Sequence, residues 1–172
     1  EELKNLLRLL CCQNTLWTRN YIVSYLSTLD DIIVVENRLY ENAMDFEKVF
    51  NIYYHENVSK HLEDLLREYT SNLIDTLEYL KLGKKDMEKD AQDKWNATGM
   101  KLAEFLSSIN SYWKLGEFHS LISDHIEMTK SQMEQRLNKE YALEVFQYYC
   151  IEYYSIMIAN ILRQGIIDVF YH

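Results

Sequence analysis

A chain of 172 residues with no proline and only four glycines has little with which to build tight turns. Those two residues end helices and shape hairpins, so their scarcity favours long uninterrupted helices over strands joined by short turns. The long segments are rich in Leu, Glu, Lys and Tyr, and their apolar residues recur at the three- and four-residue spacing of an amphipathic helix. The expected fold class is all-α. The expected architecture is an up-and-down bundle of four to six helices in a single domain, residues 1–172, which buries roughly two-thirds of the unfolded surface.

Periodicity and capping residues set the expected limits. A first helix runs from about Glu2 to Ser27, with Leu3, Leu6, Leu7, Leu10, Asn14, Trp17, Tyr21 and Tyr25 on one stripe. Asp30 is placed to cap a short second helix through Leu39, and Asn42 to Tyr54 reads as an irregular or short helical crossing that spans the bundle rather than forming it. A third helix starts at Asn57 or Ser59 and ends at Leu82, with Gly83 as its stop. A fourth has a charged, exposed start over Lys84 to Asp93 and ends at Asn110; a fifth covers about Phe118 to Leu137. The last, about Glu140 to Phe170, is apolar nearly all round. Such a helix is either central or covered by a second subunit, and the central position is the stronger expectation; otherwise the chain is a homodimer through this C-terminal helix.

A formal charge of −9 with no Lys/Arg cluster argues against nucleic acid or an anionic membrane surface as an electrostatic partner. The apolar runs near the C-terminus are interrupted by Glu152, Asn160, Arg163 and Gln164, short of the ~20 apolar residues a membrane-crossing helix needs. There is no signal-peptide pattern, and three cysteines, an odd number, fit reduced thiols, so a cytoplasmic location is expected. Gly-x-Ser-x-Gly is absent, and four scattered glycines make no phosphate-cradling loop, which argues against a conventional hydrolase or kinase.

Chemistry is expected near the middle of the fifth helix. The stripe Phe118, Leu121, Ile122, His125, Met128, Thr129, Gln132, Met133 turns one histidine inward, with Asp124 beside it. Leu62, Leu65, Leu66, Glu68 and Tyr69 match Phe118, Leu121, Ile122, Asp124 and His125 at one constant offset. With the long helices side by side, Asn14, Tyr69, His125 and Tyr154 come level, near Glu68, Asp124 and Glu152. Buried polar groups require partners, so this level is either a hydrogen-bonded layer or a metal site of His125, Glu68, Asp124 and Glu152 suited to iron, manganese or zinc. The Glu-x-x-His pairs of a di-iron bundle are absent, and His61 with Asp64 lies on a charged, solvated face.

Several segments carry a family resemblance: Trp17-Thr18-Arg19, Arg38-Leu39 with Asn42 and Asp45-Phe46, Tyr53-Tyr54, Phe105 through Asn110 with Trp113, Asp124-His125 with Thr129, and Gly165-Ile166-Ile167. Together they resemble a bacterial family of ferritin-like helical-bundle proteins described as conserved metalloproteins of unknown function. The resemblance implies an acidic residue followed by a metal-binding His near the middle of several helices. The matching positions here read Gln13-Asn14, Glu68-Tyr69, Asp124-His125 and Tyr153-Tyr154, so one His of four is kept. Asn and neutral Tyr are poor ligands for these metals. The chain therefore reads as a member with a degraded metal site and a structural or binding role rather than an enzymatic one; the alternative is a sparse carboxylate/His metal site.

Overall fold

The computed structural model describes residues 1–171 and forms six helices: α1 Glu2–Leu26, α2 Ile32–Phe50, α3 Glu56–Leu82, α4 Lys85–Ile109, α5 Leu115–Leu137 and α6 Tyr141–Phe170. Connections of two to five residues force each helix to run back along its predecessor, giving an up-and-down bundle. Each helix packs mainly on its sequence neighbours, and α6 closes the ring by packing on α1. Weaker contacts join next-but-one neighbours, α1 to α5 and α3 to α5. The core lies along the axis of this ring, with Leu7, Ile22, Leu39, Leu77, Phe118 and Ile166 among its fully buried side chains.

Local chemistry explains the ends of α3 and α4, whereas no helix start carries a side-chain cap: α2 follows Asp31 rather than Asp30, and α3 follows His55, so Asn57 and Ser59 lie inside it rather than capping it. Gly83 ends α3 in the left-handed conformation, φ +68°, and its N–H and that of Lys84 return to the carbonyls of Leu80 and Tyr79. Asn110 leaves α4 in extended conformation, and its side chain then accepts from the backbone N–H of Tyr112 and donates to the Tyr54 hydroxyl. That places Trp113, fully buried, against Phe50, Tyr54 and Phe118 at one end of the ring.

Two expectations about the helices themselves are also corrected. The second helix is not short, and the stretch after it is not a crossing: α2 is continuous to Phe50 and packs on both α1 and α3. Val35, Leu39, Asn42, Phe46 and Val49 keep one helical phase with no breaker between them, so nothing stops propagation. Nor is α6 central. One face, with Glu144, Ile151, Ser155, Ala159 and Leu162, packs between α1 and α5, while Phe146, Tyr149 and Tyr153 on the opposite face are 65%, 64% and 58% exposed.

Gly165 shows how closely α6 approaches its neighbours. A methyl group there would collide with the Trp113 indole, whose Nε1 donates 3.2 Å to the carbonyl of Ile161. Gly165→Ala is therefore expected to destabilise the fold by about 2 kcal/mol, although Ala is the better helix former by about 1 kcal/mol. A thermal melt of the variant reading equal to or above the parent would contradict this close packing.

Candidate functional site

The ring is not filled to its axis. A cavity of about 100 Å³ lies inside it, and every helix supplies wall, including Asn14 of α1, Phe46 of α2, Tyr69 of α3, Leu106 of α4, His125 of α5 and Ser155 of α6. No Asp, Glu, Lys or Arg is part of that wall. The polar atoms on it come from Asn14, Tyr69, His125, Ser155 and the Cys11 thiol.

His125 and Tyr69, the two residues related by the constant offset in the sequence, meet here: the Tyr69 hydroxyl is 3.2 Å from His125 Nδ1. His125 is 9% exposed, and burial alone pushes its imidazole down to about 4, so the ring is neutral at physiological pH. Burial lifts the Tyr69 phenol far above its usual range, against a smaller opposing pull from the adjacent Trp95 indole. Both partners are thus uncharged. With the Tyr69 hydroxyl donating to His125 Nδ1, the remaining ring proton sits on Nε2. That Nε2–H has no hydrogen-bond partner among the described residues.

Asn14 is held by a chain of amides. Asn42 Nδ2 donates to the Leu10 carbonyl at 3.1 Å, which leaves Asn42 Oδ1 to accept from Asn14 Nδ2 at 2.9 Å. Asn14 is half-buried, and its Oδ1 takes no part in that bond. On α6 the polar group facing the cavity is Ser155, whose hydroxyl donates to the Ile151 carbonyl and accepts from Thr15. Tyr154, the neighbour expected at this level, is half-buried and borders no part of the cavity. The signal for Ser155 was its phase, four residues from Ile151 and Ala159 on the buried face.

The acidic residues expected near His125 lie elsewhere. Glu68 points to the α3–α4 surface, where its Oε1 accepts from Thr98 at 2.9 Å and from Lys101 at 3.1 Å. Lys101 first, and Thr98 second, hold its carboxyl below the usual range. Asp124 and Glu152 are half-buried and line no part of the cavity, Glu152 lying towards Cys12 and Tyr148. Adjacent helical residues diverge by about 100°, so an inward Tyr69 or His125 turns its acidic neighbour away. Among the described residues no group of three or more His, Cys, Asp or Glu is placed to hold a metal ion. One imidazole with amide, phenol and hydroxyl neighbours does not fit iron, manganese or zinc.

A second buried polar cluster escaped sequence reasoning. Glu144, fully buried on α6, accepts from Arg19 Nε at 2.8 Å, Arg19 Nη2 at 2.9 Å and Gln132 Nε2 at 3.0 Å, joining α1, α5 and α6. The hydrogen bonds that Arg19 donates to Glu144 raise its guanidinium pKa further. Its acceptors are all used within the bundle, and it fits a structural clamp rather than a reactive site.

Comparison with protein-family models, with curated proteins and with solved structures finds no match to this chain. Function rests on the geometry alone.

The His125–Tyr69 pair makes a paired expectation. His125→Leu should cost about 1–3 kcal/mol by stranding the Tyr69 hydroxyl, and Tyr69→Phe in the same chain should restore most of it. Because the folded His125 titrates near 4 and the unfolded one near 6.5, its neutral burial contributes stability that is complete above pH 6.5 and is lost as pH falls towards 4. The expected loss is on the order of 3 kcal/mol relative to His125→Leu. Urea denaturation of both proteins from pH 7 to pH 4 reads this difference directly; parallel pH profiles would refute it.

Proposed function

We propose that this chain is a ferritin-like helical bundle whose ancestral metal position has lost its ligands, and that it acts by binding rather than by catalysis. The observation that carries this reading is the wall of the central cavity, which holds one imidazole and no carboxylate. Where a bundle metal site needs several inward His and Glu side chains, this one has an Asn, a phenol and a Ser, each engaged in neutral hydrogen bonds. Neutral His125 lacks a carboxylate to raise its basicity or to share a cation's charge.

The test is metal content in untagged protein purified without added metal, with His125→Ala alongside. Far less than one metal per chain, and no change in melting temperature on adding iron, manganese or zinc, is the expected result. One metal per chain that disappears in His125→Ala would replace this reading with the metalloprotein one.

A second copy of the chain is the proposed partner, through the outward face of α6. Ala142, Phe146, Tyr149 and Tyr153 follow one another along that face, with Leu143 and Val145 beside them and all of them exposed. Three aromatic rings and two aliphatic side chains offer on the order of 500–600 Å², approaching the ~800 Å² per partner of a stable interface. None of these six residues is charged, so at a net charge of −9 they add no repulsion between two copies. Sedimentation should show a concentration-dependent dimer that becomes monomeric in Phe146→Lys/Tyr149→Lys, with unchanged helicity because both positions are exposed. A parent that stays monomeric up to ~100 μM would remove this partner.

A further inference from the structure

We propose that the central cavity is a binding site for a small uncharged molecule with an apolar body and one hydroxyl-type group, simple phenols being the chemical class. The inference rests on the reading that the site holds no metal, and goes beyond it by naming what the site takes instead.

Size, charge and hydrogen bonding each restrict the occupant. A cavity of about 100 Å³ is of the order of the ~150 Å³ apolar cavity that accepts benzene, so a molecule of roughly five to seven heavy atoms fits with small wall movements. Phe46, Phe50, Phe118, Leu62 and Leu162 offer it mostly carbon. No charged side chain lines the wall, so an anion or cation would lose its hydration without gaining a partner.

The wall also holds two unused polar functions of opposite kind. The bonds these residues make within the bundle run through His125 Nδ1 and Asn14 Nδ2, which leaves His125 Nε2 and Asn14 Oδ1 for a further partner. A hydroxyl oxygen accepts from His125 Nε2–H while its own proton can reach Asn14 Oδ1, and its apolar body covers the carbon wall, which a lone water with few polar partners leaves uncovered.

Calorimetry and thermal melts of the full chain with phenol, toluene and benzoate test this. Phenol is expected to bind one per chain and to raise the melting temperature; toluene, without the hydroxyl, should bind about tenfold more weakly, and charged benzoate not at all. Leu66→Phe, which grows a wall residue into the space, should abolish phenol binding while retaining the parent's helicity. Independently of any variant, nitrogen NMR of the parent should show the His125 Nε2 signal moving as phenol saturates. No saturable binding of phenol or toluene, or binding that leaves the His125 signal unmoved, would overturn the ligand assignment while the metal-free reading stands. Equal affinities for phenol and toluene would overturn the assignment of the hydrogen-bonding group. One-to-one metal binding that depends on His125 would sink both readings together.

Discussion

Everything inside this bundle depends on α6 meeting α1. A row of helices linked by short turns has two open ends, and only their contact converts it into a ring with an interior. The seam is held by polar contacts between residues far apart in the chain: Thr15 with Ser155, Arg8 with Asn160, and Arg19 with Glu144. Glu144 matters most, because a fully buried carboxylate is tolerated only when its oxygens are occupied, and Arg19 and Gln132 occupy them from two different helices. The same charge that would be costly in an open row thus specifies which helices must close upon each other.

Closure sets the chemistry of the axis. Six helices in a ring leave more space in the middle than four in a square, and here a cavity of about 100 Å³ remains. The residues around that space are neutral in pairs: a phenol with an imidazole, one amide with another, one hydroxyl with another. Low dielectric and the absence of nearby carboxylates keep His125 unprotonated, which is the opposite of what a metal or an acid-base centre demands of its surroundings. Carboxylates are present one residue away along the helices, but the helical turn sends them to the surface, Glu68 into an ion pair with Lys101.

The outer wall repeats the lesson from the other side. With a bundle of six helices in a ring, none sits at the centre, so an all-round apolar helix must show one face to the outside. For α6 that face carries Phe146, Tyr149 and Tyr153. Aromatic rings tolerate such exposure better than aliphatic chains when a hydroxyl reaches water, as the two tyrosines allow.

Much of the fold was legible in the residues alone. The absence of proline, the four glycines and a persistent 3.6-residue period determined an all-α chain, most of its helix boundaries, the left-handed stop at Gly83 and the inward placement of His125 and Tyr69, because these are consequences of local sterics and of burying one helical stripe. The continuity of α2 was less legible, since Asp30 and Asn42 carry the same capping chemistry whether or not a helix ends beside them. Which of two neighbours faces the axis, Tyr154 or Ser155, and which carboxylates reach His125, were decided only by the tertiary structure. Helix rotation about its own axis is set by the partners on both sides, and a rotation of one residue position, about 100°, is enough to exchange a metal ligand for a surface ion pair. The Arg19–Glu144 clamp and the peripheral place of α6 belong to the same class, since both depend on how the ring closes, and no local pattern encodes that.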